Sequence, residues 1–243
     1  MLLDCVLTSC NEDPMYLGVL PLFIKTWKKL YPHVHVKIVL VAKSIPDQYT
    51  IYKKNIIIFE PLPDLCARFT SQYIRLLYPA LLDYRHGILI TDIDMLPMNR
   101  TYFTNIIERY PDDCFIYLRN VLLNVKECAM CYNVARNKTW SDIFSILCLE
   151  DIQQRLLEKR AHVQWNTDQR DLYQHVMNWD TKTNRFIVLK DTETGYHRLD
   201  RSQNFQIHPP IITNIQIGLY SDYHCYRPHS TYRGINEKIY ELL

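Results

Sequence analysis

The sequence has no long run of lysine or arginine, and its 28 basic residues against 26 acidic ones leave a formal charge of only +2. A sequence-independent grip on nucleic acid needs a concentrated basic face, so that class of partner is excluded and any anion recognised is small. Nor is there a stretch of about 18 apolar residues, the length a bilayer crossing needs, which excludes a spanning helix. Glycine is scarce, at 5 residues, and no repeat or linker-like stretch is present. With 48% apolar and 22% charged residues, this excludes a disordered or low-complexity chain and implies a packed core throughout. The first residues lack the basic start of a secretory signal, and Asp4 interrupts their apolar run too early. The expectation is a strand at that end and a cytoplasmic protein.

The eight cysteines are irregularly spaced and mostly flanked by apolar residues, which reads as reduced, buried thiols. Cys128-x-x-Cys131 has no second pair of ligands at a matching spacing, so it is read as structural rather than as a zinc or redox site.

What is present alternates between two periods. Leu2 to Thr8 is a β-favouring run that ends in turn formers from Ser9 to Pro14. From Met15 to Tyr31, Leu17, Leu20, Ile24, Trp27 and Leu30 recur at helical spacing. Val36 to Val41 is a β-branched run, so the opening reads strand, helix, strand, the start of a parallel sheet. Ile56 to Phe59 adds a strand, Ser71 to Leu82 a helix, and Ile88 to Thr91 a fully apolar strand. Further expectations are strands at Cys114 to Leu118, Glu127 to Val134 and Arg185 to Leu189, helices at Trp140 to Arg160 and Asp171 to Trp179, and a long surface loop from Thr192 to Pro210. The length is that of one domain over 1–243.

The apolar strand runs straight into Asp92-Ile93-Asp94. If the strand persists, both carboxylates share a face and emerge where open α/β sheets bind ligands. Two acids so close raise each other's pKa unless a cation sits between them, and a hard divalent ion completed by phosphate oxygens answers that need.

Several ordered segments resemble the family 8 type of GT-A glycosyltransferases. They are Ser9-Cys10-Asn11 with Tyr16-Leu17, Ser71 to Leu82 leading to Ile88 to Asp94, Asn166-Thr167-Asp168-Gln169, and His224-Cys225-Tyr226-Arg227-Pro228. The resemblance implies an α/β GT-A fold, a Rossmann-like, mixed and mainly parallel sheet flanked by helices. It implies a metal, Mn²⁺ or Mg²⁺, on Asp92, Asp94 and His224, and nucleotide-sugar contacts from Thr8, Ser9, Asn11, Arg75, Asp92, Ile93 and Arg227. Asp168 would accept bonds from sugar hydroxyls, and Gln169 would lie near the anomeric carbon, a neutral amide that favours retention. The implied reaction moves a hexose, glucose or galactose, from a UDP-sugar to a glycan or glycoconjugate acceptor.

The sequence departs from that pattern in two places. The glycine and lysine expected between the histidine and proline are replaced, leaving Arg227 as the diphosphate contact, and Cys10-Asn11 stands where an acidic pair is usual. His229 and His208 are the other candidate ligands. Two further readings are a non-catalytic sugar or nucleotide-binding module, and a haloacid-dehalogenase-type phosphatase with Asp92 as nucleophile. The phosphatase motif normally opens its chain and is completed by a later Gly-Asp-x-x-x-Asp, absent here. The chain would work alone or as a part of a longer multi-domain transferase.

Overall fold

The computed structural model describes residues 1–243, apart from the side chain of His162. In chain order its strands are β1 (Leu3–Asn11), β2 (His35–Val41), β3 (Ile56–Phe59), β4 (Gly87–Ile90), β5 (Met95–Pro97), β6 (Phe115–Tyr117), β7 (Asn133–Arg136), β8 (Phe186–Val188), β9 (Arg198–Asp200) and β10 (Asp222–His224). Seven form one sheet in the order β3-β2-β1-β4-β7-β6-β8, and three form another in the order β5-β10-β9. β1 runs parallel to both β2 and β4, β2 runs parallel to β3, and β7 is the antiparallel member between β4 and β6.

Alternation along the strands divides the core between the two faces of the large sheet. From β1, Val6 and Cys10 pack with Leu20, Phe23 and Trp27 of the helix Leu20–Leu30 on one side. Cys5 and Leu7 pack with Tyr73, Ile74 and Leu76 of the helix Ala67–Leu77 on the other. β4, covered on both faces, is buried at every position, as its continuous apolar run requires. Gly87 begins it because the residue leading into β1 passes so close that a Cβ there would stand 2.9 Å from the Leu2 carbonyl oxygen. Gly87→Ala is therefore expected to cost about 1–3 kcal/mol through a forced backbone shift, read as a lower urea midpoint at unchanged slope.

Several boundaries differ from expectation for identifiable reasons. The first helical run breaks into Pro14–Leu17 and Leu20–Leu30. The second begins at Ala67 and ends at Leu77, because Pro79 turns the chain into a short 3₁₀ segment, Tyr78–Leu81. The expected helix Trp140 to Arg160 is two, Asn137–Phe144 and Leu149–Lys159, separated at Ser145, whose φ of 55° ends the first. Residues 127–132 form no strand, and pairing with β4 begins only at Asn133. The helix expected at Asp171 to Trp179 extends over Thr167–Thr183. The expected loop from Thr192 to Pro210 contains β9, and β5 and β10 are strands that no local pattern announces.

The three strands of the small sheet bring the ends of the chain's motifs together. Immediately after Asp94 the chain enters β5, which pairs antiparallel with β10 in the register Met95 to His224. The Cys225 amide then donates to the Asp94 carbonyl at 2.9 Å. Two segments far apart in sequence are thereby locked side by side.

Candidate active site

The carboxyl ends of β1 and β4 open onto a cavity of about 500 Å³, a size suited to a small ligand. Ser9, Asn11, Arg75, Asp92, Ile93, Asp94, Gln169, His224 and Arg227 all line it, so nine of the expected residues converge from five separate segments. Thr8 does not. It is wholly buried one residue behind the wall, where its hydroxyl has no partner among the described residues. Asp168 is also behind the wall, 1% exposed. Neither His229 nor His208 reaches the cavity. Cys128 and Cys131 are both buried free thiols.

The two acids of Asp92-Ile93-Asp94 do not share a strand face. β4 ends at Ile90, and the next residues turn, with the Met95 amide donating to the Asp92 carbonyl at 3.1 Å. The turn sends the carboxylates to different partners. Asp92 forms an ion pair with Arg75, whose other terminal nitrogen lies 3.3 Å from Asp168. Arg75 is 7% exposed and held by the helix Ala67–Leu77, which is itself tied to β1 where the Ser9 hydroxyl donates to the Ser71 carbonyl.

Asp94 is 4% exposed and faces three cationic or basic groups. Its Oδ2 lies 2.7 Å from Arg201, 3.2 Å from Arg227 and 3.3 Å from His224 Nε2. Burial alone would raise its pKa, but the hydrogen bond and charge of His224, with Arg227 and Arg201, outweigh burial and hold the carboxyl well below the usual range. The other imidazole nitrogen, Nδ1, lies 3.4 Å from Asp200 at the end of β9. A histidine whose second nitrogen is oriented by a carboxylate is the usual support of a metal-ligating imidazole. Asp94 and His224 thus fit a hard divalent ion as two adjacent donors, while Asp92 stays with Arg75. Among the described residues, no three His, Cys, Asp or Glu side chains form a ready cage.

Gln169 opens the helix Thr167–Thr183, and its buried Oε1 has no hydrogen-bond partner among the described residues. A buried acceptor left unmade costs free energy, so one that lines a cavity points to a ligand donor. Asp168 next to it is pushed up to about 6: burial raises it, and the nearby charge of Arg75 and the Gln169 amide only partly offset that. A carboxyl raised on folding favours the native state at low pH, and that contribution is lost as pH rises from its unfolded value of 3.8 through about 6. The pH-stability curve of Asp168→Asn, measured by urea denaturation, should lack this falling segment, so the segment should appear in the difference between the two curves.

Sequence reasoning misses several lining residues, among them Arg68, Trp165, Arg198 and Arg201. Arg198 and Arg201 lie in the segment read as a loop, and only the pairing of β9 with β10 brings them to the cavity. Trp165 has a signal, since it immediately precedes the Asn166 to Gln169 segment in a polar stretch. In all, five arginines line the cavity against two carboxylates, so its potential favours an anion. Cys10, where an acid is usual in the resembling family, adds no charge, because burial pushes its thiol up to about 12.

No protein-family model and no curated protein sequence matches the chain. Solved structures do share its shape. The galactosyltransferase LgtC, determined with donor and acceptor sugar analogs, is 12% identical with a TM-score of 0.52, over 98% of this chain and 94% of that one. A glycosyltransferase involved in glycosylation of the major capsid of PBCV-1 is 10% identical with a TM-score of 0.51, over 98% of both chains. The glycosyltransferase GlyE of Streptococcus pneumoniae TIGR4 is 15% identical with a TM-score of 0.49, over 81% of this chain and 47% of that one. The chain thus spans about half the length of GlyE. The fold is GT-A, an α/β fold with a mostly parallel central sheet flanked by helices, and the family 8 resemblance is consistent with it.

Proposed function

We propose that the chain is a metal-dependent glycosyltransferase that moves a hexose, glucose or galactose, from a UDP-sugar to a glycan or glycoconjugate acceptor with retention. The observation that carries this reading is the gathering of Asp94, His224, Arg201 and Arg227 at one end of a cavity formed at the carboxyl ends of β1 and β4. Mn²⁺ or Mg²⁺ on Asp94 and His224, with Asp92 in the same cavity, would supply Lewis-acid neutralisation of charge.

Loss of a nucleoside diphosphate from a sugar leaves negative charge on oxygen. Arg201 and Arg227 share one oxygen of Asp94 and are 18% and 27% exposed at their side chains, so both can turn to phosphate oxygens without unfolding anything. Arg75 is fixed by two carboxylates and contributes a rigid donor edge rather than a mobile one. The unpartnered Gln169 oxygen can accept a sugar hydroxyl or face positive charge developing at the anomeric carbon. Being an amide, it is no base for an attacking hydroxyl, which favours retention. Asp168 acts through Arg75 and through Gln72, whose amide lies 3.4 Å from it. The phosphatase reading needs Asp92 free as a nucleophile, whereas its carboxylate is paired with Arg75.

The test is release of UDP from UDP-glucose, UDP-galactose, UDP-N-acetylglucosamine and UDP-xylose, with and without Mn²⁺. Metal-stimulated release from a hexose donor is expected. Tight UDP binding with no release from any donor would make the chain a binding module instead.

A further inference from the structure

Among the residues that line the cavity is a pair of groups that the proposed metal and diphosphate chemistry leaves idle. Trp165 lines the cavity yet is 74% exposed. An indole so bare of protein contacts is uncommon, because tryptophan contributes most when its large face is covered. Arg68 is also exposed on that lining, and it differs from the other four lining arginines. Arg75, Arg198, Arg201 and Arg227 each have a carboxylate partner, whereas Arg68 has none among the described residues.

The two groups are placed together by the fold. Arg68 and Gln72 are four residues apart on the helix Ala67–Leu77 and so share a face. The Gln72 amide donates to the main-chain carbonyl of Trp165, fixing that loop against the same face. An indole face is electron-rich and attracts the slightly positive C–H edge of a pyranose ring, while a free guanidinium beside it offers a planar fork to a carboxylate or phosphate.

We infer that Trp165 and Arg68 form the acceptor subsite, and that the acceptor is an acidic sugar, its ring stacked on Trp165 and its anionic group held by Arg68. This rests on the transferase reading for its name as an acceptor site, but its binding chemistry stands apart from turnover. Binding is therefore the quantity to measure.

UDP-saturated protein is titrated with methyl glucuronide, methyl glucoside, glucose 6-phosphate and inorganic phosphate, following tryptophan emission. Trp165 is exposed, so a stacked ring should change its signal, and Trp165→Phe should remove that change. Methyl glucuronide or glucose 6-phosphate is expected to bind at least about tenfold more tightly than methyl glucoside, the scale of one charge-assisted hydrogen bond. Preference for the first marks a carboxylate acceptor, and preference for the second a phosphorylated one. Arg68→Gln should bring acidic and neutral sugars within about twofold of each other. Equal binding of all three sugars, a preference that survives Arg68→Gln, or inorganic phosphate binding as tightly as the acidic sugars would overturn the inference. Acidic-sugar binding by a protein that releases no UDP would instead overturn the transferase reading and leave this subsite standing.

Discussion

Asp94→Asn is expected to lower metal-stimulated UDP release by about three powers of ten. Removing the carboxylate removes one unit charge from a site where His224, Arg201 and Arg227 all converge on a single oxygen. At an effective dielectric of 20, a charge pair about 4 Å apart is worth about 4 kcal/mol, and each step of about 1.4 kcal/mol is tenfold in rate. The substitution also releases both arginines from their internal partner, so UDP binding without metal should hold or strengthen. That combination separates a damaged site from a damaged fold. Metal-stimulated release within tenfold of the unaltered protein would remove Asp94 from the reaction.

The largest stability effect is expected at Asp222→Ala, in β10 two residues before His224. Asp222 is fully buried, takes Arg198 Nη2 at 2.8 Å and Nε at 3.1 Å, and accepts from the hydroxyls of Tyr196 and Tyr132. Deleting one member of a buried ion pair leaves the other uncompensated, a loss of about 3–5 kcal/mol. For a chain of this length that lowers the melting temperature by on the order of 10 °C. The comparison is Asp113→Ala. Asp113 pairs with Arg185 near the surface, with side chains 34% and 49% exposed, and its loss should cost under about 1 kcal/mol. Equal losses at the two positions would show that the Asp222 network does not hold the small sheet.

Much of the large sheet is legible in the sequence because its signals are local. The continuous apolar run of β4, the β-branched run of β2 and the helical spacing of Leu20, Ile24, Trp27 and Leu30 each announce their structure over a few residues. The small sheet is not legible. Arg198-Leu199-Asp200 and Asp222-Tyr223-His224 are three-residue strands with charged members, and each becomes a strand only through partners found far away in the chain. The same nonlocality hides Arg201, whose contact with Asp94 crosses 107 positions.

The candidate site divides in the same way. Nine expected residues line one cavity, since the motifs sit where strands or helices end. The geometry between Asp92 and Asp94 departs from the shared face that the sequence suggests, because two-residue alternation holds only while a strand continues, and this one stops at Ile90. The motif position of Asp168 implies direct sugar contact, whereas burial at the start of its helix leaves it reaching the cavity through Arg75 and Gln72.

The proposed reaction requires that a nucleoside diphosphate leave at the Asp94 end of the cavity, and a crystal structure with UDP and Mn²⁺ decides whether it does. The expected result is a diphosphate within hydrogen-bond reach of Arg201 and Arg227, with the manganese anomalous peak against Asp94 and His224. A diphosphate seated away from these four residues would contradict it.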